Sequence, residues 1–72
     1  MKVKVGKKLM WEREDRKLNQ IEMAHLLGLP QSAYSRLERN ETSVEIEQIV
    51  NFSKVLQVPV QEFLPENFCH SQ

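Results

Sequence analysis

Five polar side chains that could contact another molecule recur at helical spacing between positions 31 and 39. They are Gln31, Ser32, Ser35, Arg36 and Arg39. Because an α-helix turns once every 3.6 residues, these side chains share one face, and the apolar residues of the same segment share the other. The polar face carries hydrogen-bond donors and guanidinium groups but no carboxylate. Glutamine and arginine reach base edges in the major groove of DNA, and serine bonds bases or phosphates, so the spacing predicts a DNA-binding face.

A tight corner is required to turn this face outward. We predict helix two over about 20–27 and helix three over about 31–39, joined only by Gly28–Pro30. Asn19 is a favourable N-cap residue, and Gly28 stands where a left-handed residue ends a helix. A turn this short joins helices at roughly 90–120°. With its apolar side packed on helix two, helix three must present its polar side to solvent or to a partner.

The remaining segments read as further helices around one core. We predict helix one over about 3–17, helix four over about 45–56 and a short helix five over about 60–64, with a tail at 65–72. The opening "KVKV" alternates, but it is too short to predict a strand. The expected fold is therefore an all-α, five-helix single domain with its core in residues 3–64.

Composition excludes several classes of protein. The 72 residues are 40% hydrophobic and 28% charged, and no apolar run approaches the ~20 residues of a membrane span. We expect a cytoplasmic protein. The sequence has no catalytic triad, no paired acids with a pocket and no phosphate-binding glycine loop, so we expect neither an enzyme nor a cofactor. The single cysteine permits no intrachain disulfide, and Cys69-His70 alone makes a poor metal site.

Charge is unevenly distributed although the net charge is zero. Residues 1–40 hold nine basic and five acidic side chains, whereas residues 41–72 hold one basic and five acidic side chains. This asymmetry indicates that the first half faces a polyanion, unless it arose by chance. The zero total predicts weak nonspecific binding to DNA by a single domain.

The run "LNQIEMAHLLGLPQSAYSRLERNE", 18–41, resembles the Cro/repressor-type (XRE-like) helix-turn-helix family. The matching pieces are Leu18-Asn19-Gln20, Met23-Ala24, Leu27-Gly28-Leu29, Gln31-Ser32 and Leu37-Glu38-Arg39. The segment "EIEQIVNFSKVLQVPVQEFL" is similar to the fourth and fifth helices of that family. Three positions depart from the pattern: Pro30 replaces a Ser or Thr cap, and Lys17 and Asn40 replace glycines.

The resemblance implies a five-helix domain, usually a dimer, that binds operator DNA. It assigns base contacts to Gln31, Ser32 and Arg36. It assigns contacts to the sugar-phosphate backbone to Gln20, Ser35, Arg39, Asn40 and Thr42. It also implies a buried ion pair between Arg13 and Glu38, which would link helix one to the end of helix three.

Three functions remain open at this point. The first is a transcriptional regulator, a homodimer that places helix three of each copy in successive major grooves of a palindromic operator. Its self-contact would come from Val58, Phe63, Leu64 and Phe68. The second is a protein-interaction module of the same fold, which the zero net charge and an outward-pointing Trp11 favour. The third is the antitoxin of a toxin–antitoxin pair.

Overall fold

An apolar core that receives side chains from every helix lies at the centre of the molecule. In this computed structural model, which describes residues 2–64, the side chains that are at most 1% exposed include Leu9, Met23, Tyr34, Ile49 and Phe52. The residues come from four different helices, so no single helix can bury its apolar face alone. Burial of such side chains is the main stabilising contribution to the fold.

The secondary structure consists of four α-helices, one 3-10 turn and a minimal two-stranded ribbon. The elements in chain order are β1 (Lys2–Val3), α1 (Gly6–Asp15), α2 (Gln20–Leu27), α3 (Gln31–Glu38), β2 (Val44–Glu45), α4 (Ile46–Leu56) and the 3-10 turn (Val60–Phe63). The helix boundaries predicted for α2, α3 and α4 agree with these to within one residue. Residues 2–64 contain neither a helix long and apolar enough to cross a membrane nor three His, Cys, Asp or Glu side chains grouped to hold a metal ion.

The predicted fifth α-helix is wrong, because the segment makes a single 3-10 turn. The Glu62 amide bonds the Pro59 carbonyl at 3.1 Å, and the Leu64 amide bonds the Gln61 carbonyl at 3.2 Å. Both bonds span three residues rather than the four of an α-helix. The described part of the chain therefore has four α-helices, and the 3-10 turn serves mainly to bring Phe63 into the core.

The expectation of an all-helical chain without strands is also corrected. β1 pairs antiparallel with β2, with Lys2 opposite Glu45 and Val3 opposite Val44. Both valines are buried, and this burial on one side of the ribbon is what the short alternation "KVKV" encodes. Because the first residues are extended, α1 begins at Gly6 rather than at position 3.

The start of α1 packs closely against the end of α3. The Gly6 amide donates a 2.9 Å hydrogen bond to the Asn40 side-chain oxygen. A Cβ atom at position 6 would overlap the carbonyl oxygens of Leu37 and Glu38, so only glycine allows this approach. Asn40 adopts the left-handed conformation expected of it, with φ of 59°. These contacts set the position of α3 relative to α1.

A polar cluster around Glu12 attaches α1 to the end of α4 and to the 3-10 turn. The Glu12 carboxylate is buried and accepts from Arg16 and, at 2.6 Å, from Lys8. Arg16 also donates to the Leu56 carbonyl at 2.6 Å, and Lys8 pairs with Glu62 at 2.7 Å. Burial alone would raise the pKa of Glu12, but the two cations outweigh it and the pKa is lowered. The carboxylate therefore stays charged and holds α1 against α4 and the 3-10 turn.

Candidate nucleic-acid interface

The corner between α2 and α3 is built from local backbone preferences. The Asn19 side chain accepts from the Glu22 amide at 2.8 Å, and the Glu22 side chain accepts from the Asn19 amide at 2.9 Å. This reciprocal capping box sets where α2 begins. Gly28 ends α2 with φ of 74°, and the Leu29 amide bonds the Ala24 carbonyl at 2.9 Å. The Gly28–Pro30 corner therefore has the conformation that its sequence predicts.

The corner turns α3 so that its two faces meet different surroundings. Tyr34 is fully buried and Leu37 is 5% exposed, and both lie on the side that faces α1 and α2. Gln31, Ser32 and Arg36 are exposed on the opposite side. None of these three side chains makes a hydrogen bond within residues 2–64. The predicted base-contacting set is thus free to meet a partner.

The Glu38 carboxylate is the junction that holds the corner together. It accepts from Arg13 Nε at 2.5 Å, from the Tyr34 hydroxyl at 2.6 Å and from Gln20 Nε2 at 2.9 Å. Arg13 also donates to the Leu18 carbonyl at 3.0 Å. The carboxylate therefore joins α1, the first turn of α2 and α3. The Arg13–Glu38 contact has the form that the family resemblance implied.

The electrostatics of this junction favour its ionised form. Burial by itself would raise the pKa of Glu38, but hydrogen bonds from Arg13, Tyr34 and Gln20 outweigh it, and the pKa is lowered. The hydrogen bond to Glu38 raises the pKa of Arg13. Burial, followed by the neighbouring carboxylate, raises the pKa of the Tyr34 hydroxyl, which therefore remains a donor. α3 is consequently anchored by a charge that persists at neutral pH.

Gln20, which was predicted to bind a phosphate, donates a hydrogen bond to Glu38. This half-buried side chain uses one hydrogen of its amide nitrogen for the 2.9 Å bond to the carboxylate. An amide nitrogen carries two hydrogens, and the second has no partner within residues 2–64. The bond therefore orients the group at the start of α2 and leaves one donor for a phosphate.

A carboxylate lies at the edge of the face that the sequence suggested was free of acids. Arg39 donates from Nε to Glu41 at 2.8 Å, from Nη2 to Glu41 at 3.3 Å and from Nη1 to the Ser35 hydroxyl at 2.9 Å. Arg39 and Glu41 are more than half exposed. The pair lowers the pKa of Glu41 and raises that of Arg39. Two of the predicted backbone contacts, Ser35 and Arg39, are thus bonded to each other in the free chain.

The other two predicted backbone contacts differ in their surroundings. Asn40 is exposed, but its side-chain oxygen accepts from Gly6, so only the amide nitrogen of the side chain faces outward without a partner in the described chain. Thr42 is exposed and makes no side-chain hydrogen bond within residues 2–64. Most of the predicted phosphate contacts therefore carry intramolecular bonds, whereas the predicted base contacts carry none.

The predicted self-association residues need one correction. Phe63 is only 4% exposed and packs on Phe52 with ring centroids 6.5 Å apart, so it belongs to the core of its own chain. Val58 and Leu64 are half-buried against that core. Phe68 lies outside the described residues. Among the described apolar residues of α4, Val50 and Val55 are the exposed ones, at 36% and 37%.

Three contributors to the interface were missed by sequence reasoning. The approach of Gly6 to α3 is a contact between distant segments, and its only local signal was a glycine at the start of a predicted helix. The bond between Gln20 and Glu38 also joins separate elements. The Arg39–Glu41 pair could have been predicted, because the two opposite charges are only two residues apart. It was missed because the helical periodicity was applied to residues 31–39 and did not include Glu41 in the following loop.

An exposed polar α3 joined to α2 by a tight corner is the geometry of a helix-turn-helix domain, the class of fold that DNA-binding transcriptional regulators use. A family model described as Helix-turn-helix matches residues 9–63. The chain belongs to this XRE-type helix-turn-helix family. No curated protein matches the sequence.

The fold is also similar to a solved structure. That structure is the restriction-modification controller protein C.AhdI from Aeromonas hydrophila, which is 29% identical in sequence. The alignment covers 86% of this chain and 94% of C.AhdI, with a TM-score of 0.73. Nearly the whole of C.AhdI is thus represented here.

Proposed function

We propose that this protein is a homodimeric, sequence-specific regulator that inserts α3 into the major groove of a palindromic operator. The observation that carries the proposal is the free outer face of α3, where Gln31, Ser32 and Arg36 are exposed and make no hydrogen bond within residues 2–64. Arginine pairs with two acceptors of guanine, and glutamine pairs with adenine. We expect the protein to act in the cytoplasm, with its DNA.

Dimerisation supplies the affinity that one neutral domain lacks. Two half-sites separated by one turn of DNA, roughly 34 Å, would double the contacts and explain a palindrome. We assign the self-contact to Val55, Val58 and Leu64, since Phe63 is buried. Phe68 stays in the proposal as a residue outside the described structure. The similarity to C.AhdI supports a stand-alone controller more than an antitoxin.

A protein-interaction module of the same fold is the second candidate. The observation that favours it is apolar exposure away from α3, because Trp11 is 64% exposed and Ile21 is 60% exposed. These side chains lie on α1 and α2. Such a module would not need the hydrogen-bonding face of α3.

Selection of binding sites from random duplexes separates the two candidates. The full chain is incubated with the library at about 50 mM and about 200 mM salt, and bound duplexes are sequenced. The expected result is a palindromic consensus with half-sites about 10 base pairs apart. Absence of enrichment even at the lower salt concentration would reject the regulator and favour the interaction module.

Sedimentation equilibrium tests the dimer separately. Val55→Glu should produce monomers by placing a charge in the apolar self-contact. Gln48→Glu, which adds the same charge to an exposed site nearer the start of α4, should leave dimers. Equal dimerisation of the two variants would show that the self-contact lies elsewhere.

A further inference from the structure

We propose that the Glu41 carboxylate occupies the place of a DNA phosphate on Arg39 and must be displaced when the protein binds DNA. The inference rests on the proposed function and adds to it a residue that limits affinity. Glu41 is not among the predicted contacts to DNA. Its role follows from the hydrogen bonds at the end of α3.

The geometry of the pair resembles that of an arginine on a phosphate. Arg39 places Nε and Nη2 on the two oxygens of Glu41, at 2.8 and 3.3 Å. A phosphate presents the same fork of two oxygen acceptors, so one guanidinium edge cannot serve both anions in this way. The remaining nitrogen, Nη1, is bonded to Ser35 at 2.9 Å. Three of the five guanidinium N–H groups are therefore engaged in the free chain, and two of them are the donors of the Nε–Nη2 edge.

Glu41 is held in place by its backbone. Its amide donates to the Arg36 carbonyl at 2.9 Å, and Asn40 before it has a left-handed φ of 59° and is bonded to Gly6. The carboxylate therefore stands beside the last turn of α3 and next to the proposed base-contacting face. Arg36 also lies near enough to contribute to the lowered pKa of Glu41.

The exposure of the pair makes exchange feasible. The two side chains are 57% and 53% exposed, and ion pairs of this kind stabilise proteins only weakly. The dense charge of a DNA backbone can therefore replace the carboxylate. The replacement costs the internal pair and leaves Glu41 near phosphates, so it lowers affinity for every duplex.

A double-mutant cycle tests the exchange. Binding of a fluorescent, random-sequence 20-base-pair duplex is measured for the wild-type chain, Glu41→Gln, Arg39→Ala and the double variant. Glu41→Gln should raise affinity about two- to fivefold when Arg39 is present, the range expected for an exposed ion pair.

Simple repulsion between Glu41 and DNA gives a different result in the same cycle. Repulsion is relieved equally, or more, when Arg39 is absent, whereas competition for Arg39 requires a smaller gain in the Arg39→Ala background. An equal or larger gain there, or no gain in the wild-type background, would overturn the proposal. Asp15→Asn is the control, since it removes one exposed negative charge from α1 and should not reproduce the Arg39-dependent gain.

A measurement without DNA keeps this inference separate from the proposed function. The Nε–Hε signal of Arg39 is followed by NMR during titration with inorganic pyrophosphate. If pyrophosphate must displace Glu41 from Arg39, Glu41→Gln should reach half-saturation at a severalfold lower pyrophosphate concentration than the wild type. The same half-saturation would overturn the role of Glu41, whether or not site selection yields an operator. If Glu41→Gln shifts the pyrophosphate midpoint but site selection enriches no duplex, the regulator is rejected. The competition between Glu41 and phosphate for Arg39 is then retained.

Discussion

The Gln20 amide nitrogen and the Glu38 carboxylate lie 2.9 Å apart, and their hydrogen bond connects the first turn of α2 to the last turn of α3. The same carboxylate accepts from Arg13. One partly buried charge thus supports both the orientation of α3 and the orientation of a proposed phosphate donor. Stability and DNA binding are therefore coupled at this junction.

Gln20→Ala should weaken binding to all duplexes by a similar factor. The substitution removes one donor to a phosphate, worth about 0.5–1.5 kcal/mol, or roughly two- to twelvefold in affinity. Phosphate contacts carry no base information, so the preferred sequence should not change. Titration of an enriched duplex and of a scrambled duplex measures both quantities. A loss confined to the enriched duplex would contradict the phosphate role.

Arg36→Ala should relax specificity at one or two base pairs. A bidentate contact between arginine and guanine contributes about 1–3 kcal/mol to discrimination. Affinity for the enriched duplex should fall accordingly, while affinity for scrambled duplexes falls much less. Repeated site selection with the variant should lose information at the same position in each half-site. An unchanged consensus would remove Arg36 from the base-contacting set.

Glu38→Gln should destabilise the protein by about 2–3 kcal/mol at neutral pH, because Arg13 would lose a partly buried partner. The pKa values of Glu12 and Glu38 are lowered from 4.5 in the folded chain. Their ionised forms therefore stabilise the fold fully above about pH 4.5, and this contribution is lost as the pH falls through the lowered pKa values. Urea unfolding between pH 3 and 7 should show a shallower loss for Glu38→Gln. The exposed variant Glu47→Gln should follow the wild type.

Gly6→Ala should destabilise the fold more than Gly28→Ala does. The added methyl group at position 6 meets backbone carbonyls of α3 that cannot move aside independently, and overpacking of this kind costs about 1–3 kcal/mol or more. At position 28 no atom lies within 4 Å of the new Cβ, and only the left-handed φ of 74° opposes it, at about 1–2 kcal/mol. Thermal unfolding compares the two variants. The opposite order would show that α1 and α3 can separate at low cost.

Local sequence signals predicted the elements that carry the interface. Asn19, Gly28 and Pro30 bracket α2 and the start of α3, because capping and left-handed conformations depend on individual residues and their near neighbours. The 3.6-residue period assigned Tyr34 and Leu37 to the core, where they lie. The same local rules predicted an α-helix at positions 60–64, where the structure has a single 3-10 turn over Val60–Phe63.

Pairings between distant segments were decided only by the tertiary structure. β1 has only two residues, so it cannot be predicted as a strand without knowing that β2 pairs with it. The need for glycine at position 6 is evident only once the carbonyl oxygens of α3 are seen to lie against it. Phe63 was expected to face a second copy of the chain, but a 3-10 turn directs it onto Phe52. Helical periodicity specifies which face a residue occupies and not which element covers that face. The sequence by itself therefore determined the corner and its outward polar face, and the packing of α1 and the α3–α4 loop decided which of those polar groups are free.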